Sequence, residues 1–331
     1  MSLLQNAYGN FLSSALPYYQ AMPGIITPYG TLLKPGGRVA AYVRSTGAQD
    51  GEDHFASSGN LVTTLQAGLA RCRSGMNDIV YVLPGHAEDV SSADMFTNLV
   101  AGTQIMGVGV LGASNNPTFT WTATASTFLL DVADVSISGL TFNWIGIDAV
   151  VAPLTVSAAG CSIVGNQITC ESATAGVLKG IVLGTGASNS KVCGNQFLSV
   201  GEAKPFTSAP ILVSGAINDV LIAGNYISAA NPGTSVLGHI AVTGVATNVR
   251  IVGNTCIQLE TAGTALFTIT VGAVAATGVI SDNYSHIGSG VTASTSGVTV
   301  DAAALVGMAM FENYTADATA TQGILAPVVA T

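Results

Sequence analysis

Two acidic residues near the end of the chain have the spacing of a carbohydrate-cleaving pair. Asp282 and Glu312 each stand directly before an asparagine, and 30 residues separate them. If that interval is one turn of a stacked repeat, the two carboxyl groups lie on neighbouring turns, and glycoside hydrolysis uses two carboxyl groups about 5–9.5 Å apart. The equivalent position in the upstream copies is glycine, so a looser turn also accounts for both residues. We therefore predict no enzymatic activity and retain this pair for an alternative function.

A second acidic group places three carboxylates within four residues: Asp50, Glu52 and Asp53. Carboxylate oxygens bind hard cations such as Ca²⁺, but the spacing differs from that of an EF-hand loop. A solvated turn explains the group better, and we predict no metal site.

The remaining reactive side chains form no recognisable catalytic set. Arg250 could act as the lone base of a lyase, but it has no acidic neighbour in the sequence, which favours a surface position. No Ser/His/Asp arrangement follows from spacing, and the sequence contains no phosphate-cradling loop or dinucleotide fingerprint. We therefore predict no cofactor, and four histidines remain without an assigned role: His54, His86, His239 and His286.

The five cysteines are predicted to be free, buried thiols. The sequence has no C-x-x-C pair, and no histidine lies at metal-ligand spacing from a cysteine. Free thiols suit assembly in the reducing cytoplasm of a host cell. The positions are Cys72, Cys161, Cys170, Cys193 and Cys256.

A short phrase recurs along the C-terminal half of the chain. It reads apolar–x–Gly–Asn–x–apolar, as in Ile163 to Ile168, and the two last copies replace the glycine with Asp282 and Glu312. The intervals between successive asparagines are 29, 30, 29, 29 and 30 residues. A period this regular indicates one structural unit stacked on itself. The asparagines are Asn166, Asn195, Asn225, Asn254, Asn283 and Asn313.

Each unit has the pattern of a coil of β-strands. Apolar residues alternate with small polar ones, as in strands, and Gly-Asn favours a corner because both residues tolerate left-handed backbone angles. A unit of 29–30 residues holds about three short strands and three corners, which is one rung of a parallel β-helix. We therefore predict an all-β fold, a single-stranded parallel β-helix.

The repeated asparagines have two interpretations. A row of surface amides would bind a ligand, whereas an internal ladder would bond each side-chain amide to those of the coils above and below. An inward corner leaves buried backbone groups that need partners, which favours the ladder. The phrase has Leu140 in place of the asparagine one coil earlier, so we expect the ladder to begin after that coil.

Charge is scarce in this chain. Charged residues make up 8% of its 331 residues, against about 25% in ordinary soluble domains. The net charge of −9 and the lack of a basic run argue against nucleic acid as a partner. A weakly polar surface usually lies against another protein, so we expect an oligomer or a larger assembly.

Four regions are predicted along the chain. Residues 1–37 contain four prolines and form an extended N-terminal arm. Residues 38–86 form a cap region, whose helix at about 59–73 covers the open end of the β-helix. Residues 87–315 form the β-helix and residues 316–331 a C-terminal tail.

The helix prediction rests on three leucines that recur at every fourth position, Leu61, Leu65 and Leu69. This spacing places them on one helical face. Ser58 or Asn60 is the predicted N-cap, because both side chains accept a hydrogen bond from the first turn.

One uncharged stretch, Thr261 to Ser281, raises the question of a membrane span. It is rich in threonine and glycine, and Phe267 to Val271 alternates between apolar and polar residues, so strands are favoured over a spanning helix. The N-terminus has no positive segment before Lys34 and no apolar core, so no secretory signal is predicted.

Several segments together carry a family resemblance. Asp50-Gly51 precedes the predicted helix, and the strand Ile79 to Leu83 ends in Pro84-Gly85. With the rungs, this arrangement resembles pectin-lyase-like right-handed β-helices of tailed bacteriophages over residues 40–315. The segments that look like virion proteins of the capsid decoration, or cement, type are Val43–Ala48, Leu65–Cys72 and Val82–His86.

The resemblance implies a right-handed β-helix that binds the outer capsid shell as a homotrimer, anchored by its N-terminal segment. The expected function is therefore structural, in the virion, with the major capsid protein as partner and with neither nucleic acid nor membrane. The alternative is a tailspike or adhesin that binds or cleaves a host surface polysaccharide. In that case Asp282 and Glu312 would be the catalytic pair, and Trp121 and Trp144 one aromatic platform, although core filling is the default for both tryptophans.

Overall fold

The chain forms a parallel β-helix in which successive strands of each sheet come from successive coils. The structure is a computed structural model, and it describes residues 26–27, 30–31, 37–45, 60–109, 112–145, 147, 150–171, 177–199, 206, 208–229, 237–259, 268–272, 275–287, 298–301, 307–317, 323–324 and 328–330.

Sheet A is the first of three long sheets and has eleven strands. All of its pairings are parallel, and its first two strands pair with each other before the regular coils begin. The strands are β3 Val39–Val43, β4 Leu61–Val62, β5 Ile79–Val82, β7 Gln104–Gly107, β10 Ser136–Ser138, β13 Ser162–Val164, β16 Lys191–Cys193, β20 Leu221–Ala223, β24 Val249–Val252, β27 Gly278–Ser281 and β30 Met308–Phe311.

Sheet B has ten strands, of which the last pairs antiparallel and the others parallel. They are β6 Ala87–Val90, β8 Thr118–Trp121, β11 Thr141–Ile145, β14 Gln167–Glu171, β17 Gln196–Ser199, β21 Tyr226–Ala229, β25 Thr255–Gln258, β28 Tyr284–Ile287, β31 Tyr314–Asp317 and β32 Gly323–Ile324.

Sheet C has eight parallel strands. They are β9 Phe128–Leu130, β12 Leu154–Val156, β15 Ile181–Leu183, β18 Ile211–Val213, β22 Ile240–Val242, β26 Ile269–Val271, β29 Val298–Asp301 and β33 Val328–Ala330. Two small pairs complete the described strands, the antiparallel β1 Ile26–Thr27 with β2 Gly30–Thr31 and the parallel β19 Ile217–Asn218 with β23 Ala246–Thr247.

The registers between coils explain the sequence period. In sheet A, Ile163 pairs with Val192, which pairs with Ile222 and so on, at the same intervals as the asparagines. Their side chains are buried inside the coil, except that of Met310 on the last coil, which is half-buried. The prediction of an all-β parallel β-helix is confirmed.

The corner between sheets A and B has one repeated backbone conformation. The residue before each asparagine has a positive φ, from 54° to 64°, in all six copies. Four of these residues are glycine, which adopts this region without a steric penalty. Asp282 and Glu312 adopt it with φ of 57° and 54°, so they occupy the glycine position of the same corner.

Aromatic side chains fill the interior of the first coils. Trp121 and Trp144 are buried and meet edge to face, with ring centroids 5.8 Å apart and planes at 84°. Trp121 also packs against Phe142, and Trp144 against Phe206. The two tryptophans therefore belong to the core and form no surface platform.

The cap helix, α1, spans Leu65–Leu69 and is shorter than the predicted 59–73. Its N-cap is Thr64, not Ser58 or Asn60, and the Thr64 hydroxyl accepts from the Ala67 amide. The reason is that Leu61 and Val62 pair with β3 as a strand, which commits their backbone groups to sheet A. Leu61 thus lies outside the helix.

Helix α1 nevertheless packs on the interior at the N-terminal end. Leu65 and Leu69 are fully buried, and Leu65 lines the same small internal void as Phe119 and Leu140. A Cβ on Gly68 would lie 2.9 Å from the Val43 side chain and 3.1 Å from that of Val80. This close approach requires glycine at position 68.

At the other end, β-structure continues beyond residue 315. Strand β31 extends to Asp317, β32 folds back onto β31, and β33 adds a strand to sheet C. The segment predicted as a tail therefore contributes strands to the last coil.

Candidate functional site

The six repeated asparagines form one internal column. All are buried, and the side-chain Nδ2 of each of the first five donates to the Oδ1 of the asparagine one coil later, over 2.9–3.1 Å. The same Oδ1 also accepts from the backbone amide of the asparagine one coil earlier. At the head of the column, the Leu140 amide donates to Asn166 Oδ1 over 3.1 Å.

The second amide proton of each asparagine also has an acceptor. Asn225 Nδ2 donates to the Val192 carbonyl over 2.8 Å, and Asn254 Nδ2 donates to that of Ile222 over 3.0 Å. These amides are thus fully engaged in holding the inward corners together. They lie inside the coil, where they present nothing to a ligand.

Asp282 and Glu312 lie on neighbouring coils, as their spacing predicts. The strands that precede them pair Ser281 with Phe311, and those that follow pair Tyr284 with Tyr314. Both acidic residues are exposed. A glycoside-cleaving pair needs two carboxyl groups in different environments, one of which keeps its proton. Here both side chains project from equivalent corners into solvent.

The other predicted candidates lie apart from this corner. Arg250 is exposed on the outer face of sheet A, between Leu221 and Val279. The group Asp50, Glu52 and Asp53 lies outside the described residues, as does His54. Among the residues that the structure describes, no group of three His, Cys, Asp or Glu side chains is placed to hold a metal ion.

The three described histidines have separate surroundings. His86 is buried, and its Nε2 lies 3.0 Å from Glu88 Oε2, which also accepts from the Leu65 amide over 2.7 Å. His239 is buried, and its Nε2 donates to the Ala229 carbonyl over 3.0 Å. Burial lowers the pKa of His239 to about 4, although this hydrogen bond acts in the opposite direction. His286 lies half-buried on the outer face of sheet B.

The five cysteines are free in the structure. Burial raises the pKa of the thiols of Cys170, Cys193 and Cys256. A thiol with a raised pKa forms little thiolate and is a poor nucleophile or metal ligand.

The outer face of sheet B carries no Asp, Glu, Lys or Arg in two columns that run from β8 to β31. We call these two columns the neutral face. They consist of Thr118, Thr141, Gln167, Gln196, Tyr226, Thr255, Tyr284 and Tyr314, and of Thr120, Asn143, Thr169, Leu198, Ser228, Ile257 and His286. On the preceding strand, β6, Asp89 stands beside Thr120 and ends the second column.

Three tyrosines give the C-terminal half of the neutral face an aromatic character. Tyr226, Tyr284 and Tyr314 are 38%, 41% and 48% exposed, and Phe311 beside the same corner is 49% exposed. The sequence analysis missed these residues. The signal was present, since each tyrosine follows an inward asparagine directly and neighbouring residues of a strand point to opposite faces.

Comparison with known proteins identifies no family. No protein-family model matches the chain, and no curated protein matches it. Among solved structures, the chain is similar to ORF18 of Geobacillus virus E2, with 10% sequence identity and a TM-score of 0.30. The match covers 78% of this chain and 59% of that chain, so this chain spans less than two thirds of the virus protein.

No helix among the described residues is long and apolar enough to cross a membrane. The part of the stretch from Thr261 to Ser281 that is described forms strands β26 and β27.

Proposed function

We propose that this chain is a structural protein of a bacteriophage particle, a decoration or cement protein. It binds the outer capsid surface as a homotrimer and stabilises the shell by contacting the major capsid protein. The proposal is motivated by the resemblance of residues 40–315 to such virion proteins. The observation that carries it is the neutral face, an uncharged surface of the kind that a subunit of a larger protein assembly buries against protein.

The neutral face is suited to lasting contact with protein. It extends over eight strands, or roughly 35 Å at the usual spacing between strands. Charged residues are depleted in the buried centre of protein interfaces, whereas tyrosine is enriched there. An acidic, charge-poor rod with such a face fits a protein partner better than nucleic acid.

Trimeric attachment adds avidity. Three linked copies convert the second and third contacts with the shell into intramolecular events, so weak individual contacts suffice. Because charged residues make up only 8% of the chain, we expect its attachment to the shell to involve few charges and to resist salt.

The test is the protein content of purified phage particles before and after a wash in about 1 M NaCl, where the Debye length is about 3 Å. We expect the chain to approach the copy number of the major capsid protein on a gel and to stay on the particles through the wash. Release by salt would show an electrostatic attachment and contradict the proposed mode of binding. A control wash at low salt accounts for spontaneous loss.

The alternative function is that of a tailspike or adhesin that binds or cleaves a host polysaccharide. The observation that favours it is the clustering of Asp282, Glu312, Phe311 and Tyr314 at one exposed corner, where aromatic rings and carboxylates could bind sugar. A spike is present in few copies per particle, so the same gel discriminates between the two functions. Loss of a measured glycan cleavage in Asp282→Ala or Glu312→Ala would favour the spike.

A further inference from the structure

We propose that the neutral face is the contact between copies of this chain, with sheet B of each copy turned towards a threefold axis that runs along the rod. The inference rests on the proposed homotrimer and names the surface that forms it.

The first argument concerns charge at a symmetry axis. When three identical rods surround an axis parallel to their length, each axis-facing residue meets its own two symmetry mates at the same height. A charged residue there would bring three like charges together, which is unfavourable. A face turned to the axis must therefore be uncharged along its whole length, and the neutral face meets this condition over eight strands.

The other two sheets do not offer such a face. On the outside of sheet A, Lys191, Leu221 and Arg250 share one column, so three lysines and three arginines would meet at the axis. On the outside of sheet C, Val182, Leu212, Ala241 and Thr270 are at most 8% exposed within a single copy, so among its described side chains this column is partly accessible only in the first two coils, at Leu129 and Thr155. Among the described faces, the neutral face alone is accessible and free of Asp, Glu, Lys and Arg over eight successive strands.

The second argument concerns area and composition. A face about 35 Å long and two residues wide covers roughly 500 Å² per copy. Three copies turned to the axis would therefore bury about 1,500 Å² in all, with less area per copy than the roughly 800 Å² of a standard interface. Tyr226, Tyr284 and Tyr314, together with Phe311, expose roughly 300 Å² of aromatic surface at the fractions given above. Tyrosines of this kind provide most of the binding energy in many interfaces.

The two halves of the neutral face then have different roles. The N-terminal half contains Gln167 and Gln196, whose amides can form hydrogen bonds between copies, whereas the hydroxyls of Thr118 and Thr141 already bond to Asn116 within one copy. The C-terminal half contains the tyrosines, whose burial between copies provides the apolar contribution.

The test is the solution mass of the purified chain, measured by light scattering during gel filtration and by analytical ultracentrifugation. The wild-type chain is expected to have the mass of three copies. The double variant Gln167→Glu with Gln196→Glu keeps the shape of both side chains and adds six charges at the axis. Its mass is expected to fall to that of one copy.

A second variant removes the aromatic contribution without adding charge. The double variant Tyr284→Ser with Tyr314→Ser should weaken the trimer, so that the protein concentration at the midpoint of dissociation rises by at least about tenfold. The matched control is Val279→Glu with Ala309→Glu, which places the same two charges on neighbouring strands of the outer face of sheet A. This control should remain trimeric, and circular dichroism shows whether each variant is folded.

The outcomes separate this inference from the proposed function. A glutamate variant of sheet B that stays trimeric overturns the inference, while wild-type binding to capsids would leave the decoration function intact. A monomeric wild-type chain overturns it as well. If such a monomer binds purified capsids and Gln167→Glu with Gln196→Glu abolishes that binding, the face contacts the shell instead of a second copy.

Discussion

At the residue scale, the asparagine column is the feature on which the inward corner depends. Asn225 Oδ1 accepts from the amide and the side chain of Asn195, and Asn225 Nδ2 donates to Asn254 Oδ1 and to the Val192 carbonyl. Every one of these groups is buried. Removing one amide therefore leaves several buried polar groups without partners, each of which costs about 1–3 kcal/mol.

We expect Asn225→Ala to lower the free energy of unfolding by about 3–5 kcal/mol, since both donors of Asn195 lose their acceptor. The measurement is urea unfolding followed by far-UV circular dichroism. The control is Asn218→Ala on the same coil, because Asn218 is exposed and its replacement should cost less than about 1 kcal/mol. Equal losses in the two variants would contradict the structural role of the column.

His239 is predicted to make the fold sensitive to acid. Burial lowers its pKa to about 4 in the folded chain, whereas an unfolded histidine has a pKa of about 6.5. The unfolded chain therefore binds more protons than the folded chain between these values, so stability is lost as the pH falls from about 6.5 to about 4. The loss should total roughly 3 kcal/mol.

The measurement is the free energy of unfolding against pH for the wild-type chain and for His239→Phe. In this variant the free energy of unfolding should change less between about pH 6.5 and pH 4, because the contribution of His239 to the pH dependence is absent. Asn218→Ala serves as the control, because Asn218 is exposed and its replacement changes no titratable group, so the wild-type dependence on pH should be retained. An unchanged slope in His239→Phe would show that the ring is not held neutral in the core.

At the scale of elements, the short helix α1 joins the cap to the first coils through several contacts. Glu88 of β6 accepts from the Leu65 amide at the start of the helix, and Asp78 before β5 accepts from Arg73 beyond its end. Burial alone would raise the pKa of Asp78, but the hydrogen bonds from Arg73 hold it below its ordinary value. The carboxylate therefore stabilises the fold at neutral pH, and this contribution is lost as the pH falls through the lowered pKa.

Gly68 provides the test of how closely the helix packs. Gly68→Val would place methyl groups against Val43 and Val80, where even a Cβ is too close, and should cost about 2–3 kcal/mol through overpacking. Tryptophan fluorescence during urea unfolding reports this region, because Trp121 and Trp144 lie in the first coils. Ala67→Val is the control on the same helix and should cost less than about 1 kcal/mol. If Gly68→Val left the free energy of unfolding unchanged, the helix would not pack closely on sheet A.

At the scale of the whole molecule, each coil contacts only the coils beside it. The stability of such a fold is approximately the sum of the stabilities of single coils and of the contacts between neighbouring coils. The residues on the outer faces of the rod can therefore differ in charge and polarity without altering the core. In this chain the outer face of sheet A carries Lys191 and Arg250, most of the outer face of sheet C is buried, and the neutral face of sheet B is accessible. The differences between sides, not the fold, distinguish the proposed virion function from an enzymatic one.

Much of this arrangement could be predicted from the sequence. Local residue preferences that repeat every 29 or 30 residues predict a strand, a corner and a return to the same register. The inward position of the asparagines can be inferred as well, because an inward corner has buried backbone groups that need hydrogen-bond partners. The boundaries of helix α1 were harder to predict, because Leu61 has the spacing of a helical residue but pairs with β3 as part of a strand. A long-range pairing there outweighs the local pattern.

The sequence by itself determined the β-helical fold, its period and its low content of charged residues, because these follow from the composition and from patterns among residues near one another in the chain. Only the tertiary structure decided how far each outward residue is exposed and which residue lies beside it, since the columns of sheet B collect one residue from each coil. Tyr284 and Tyr314 are 30 residues apart in sequence, yet they lie on successive coils, because parallel pairing places equivalent residues about 4.8 Å apart. Tyr226 lies in the same column, with Thr255 between it and Tyr284.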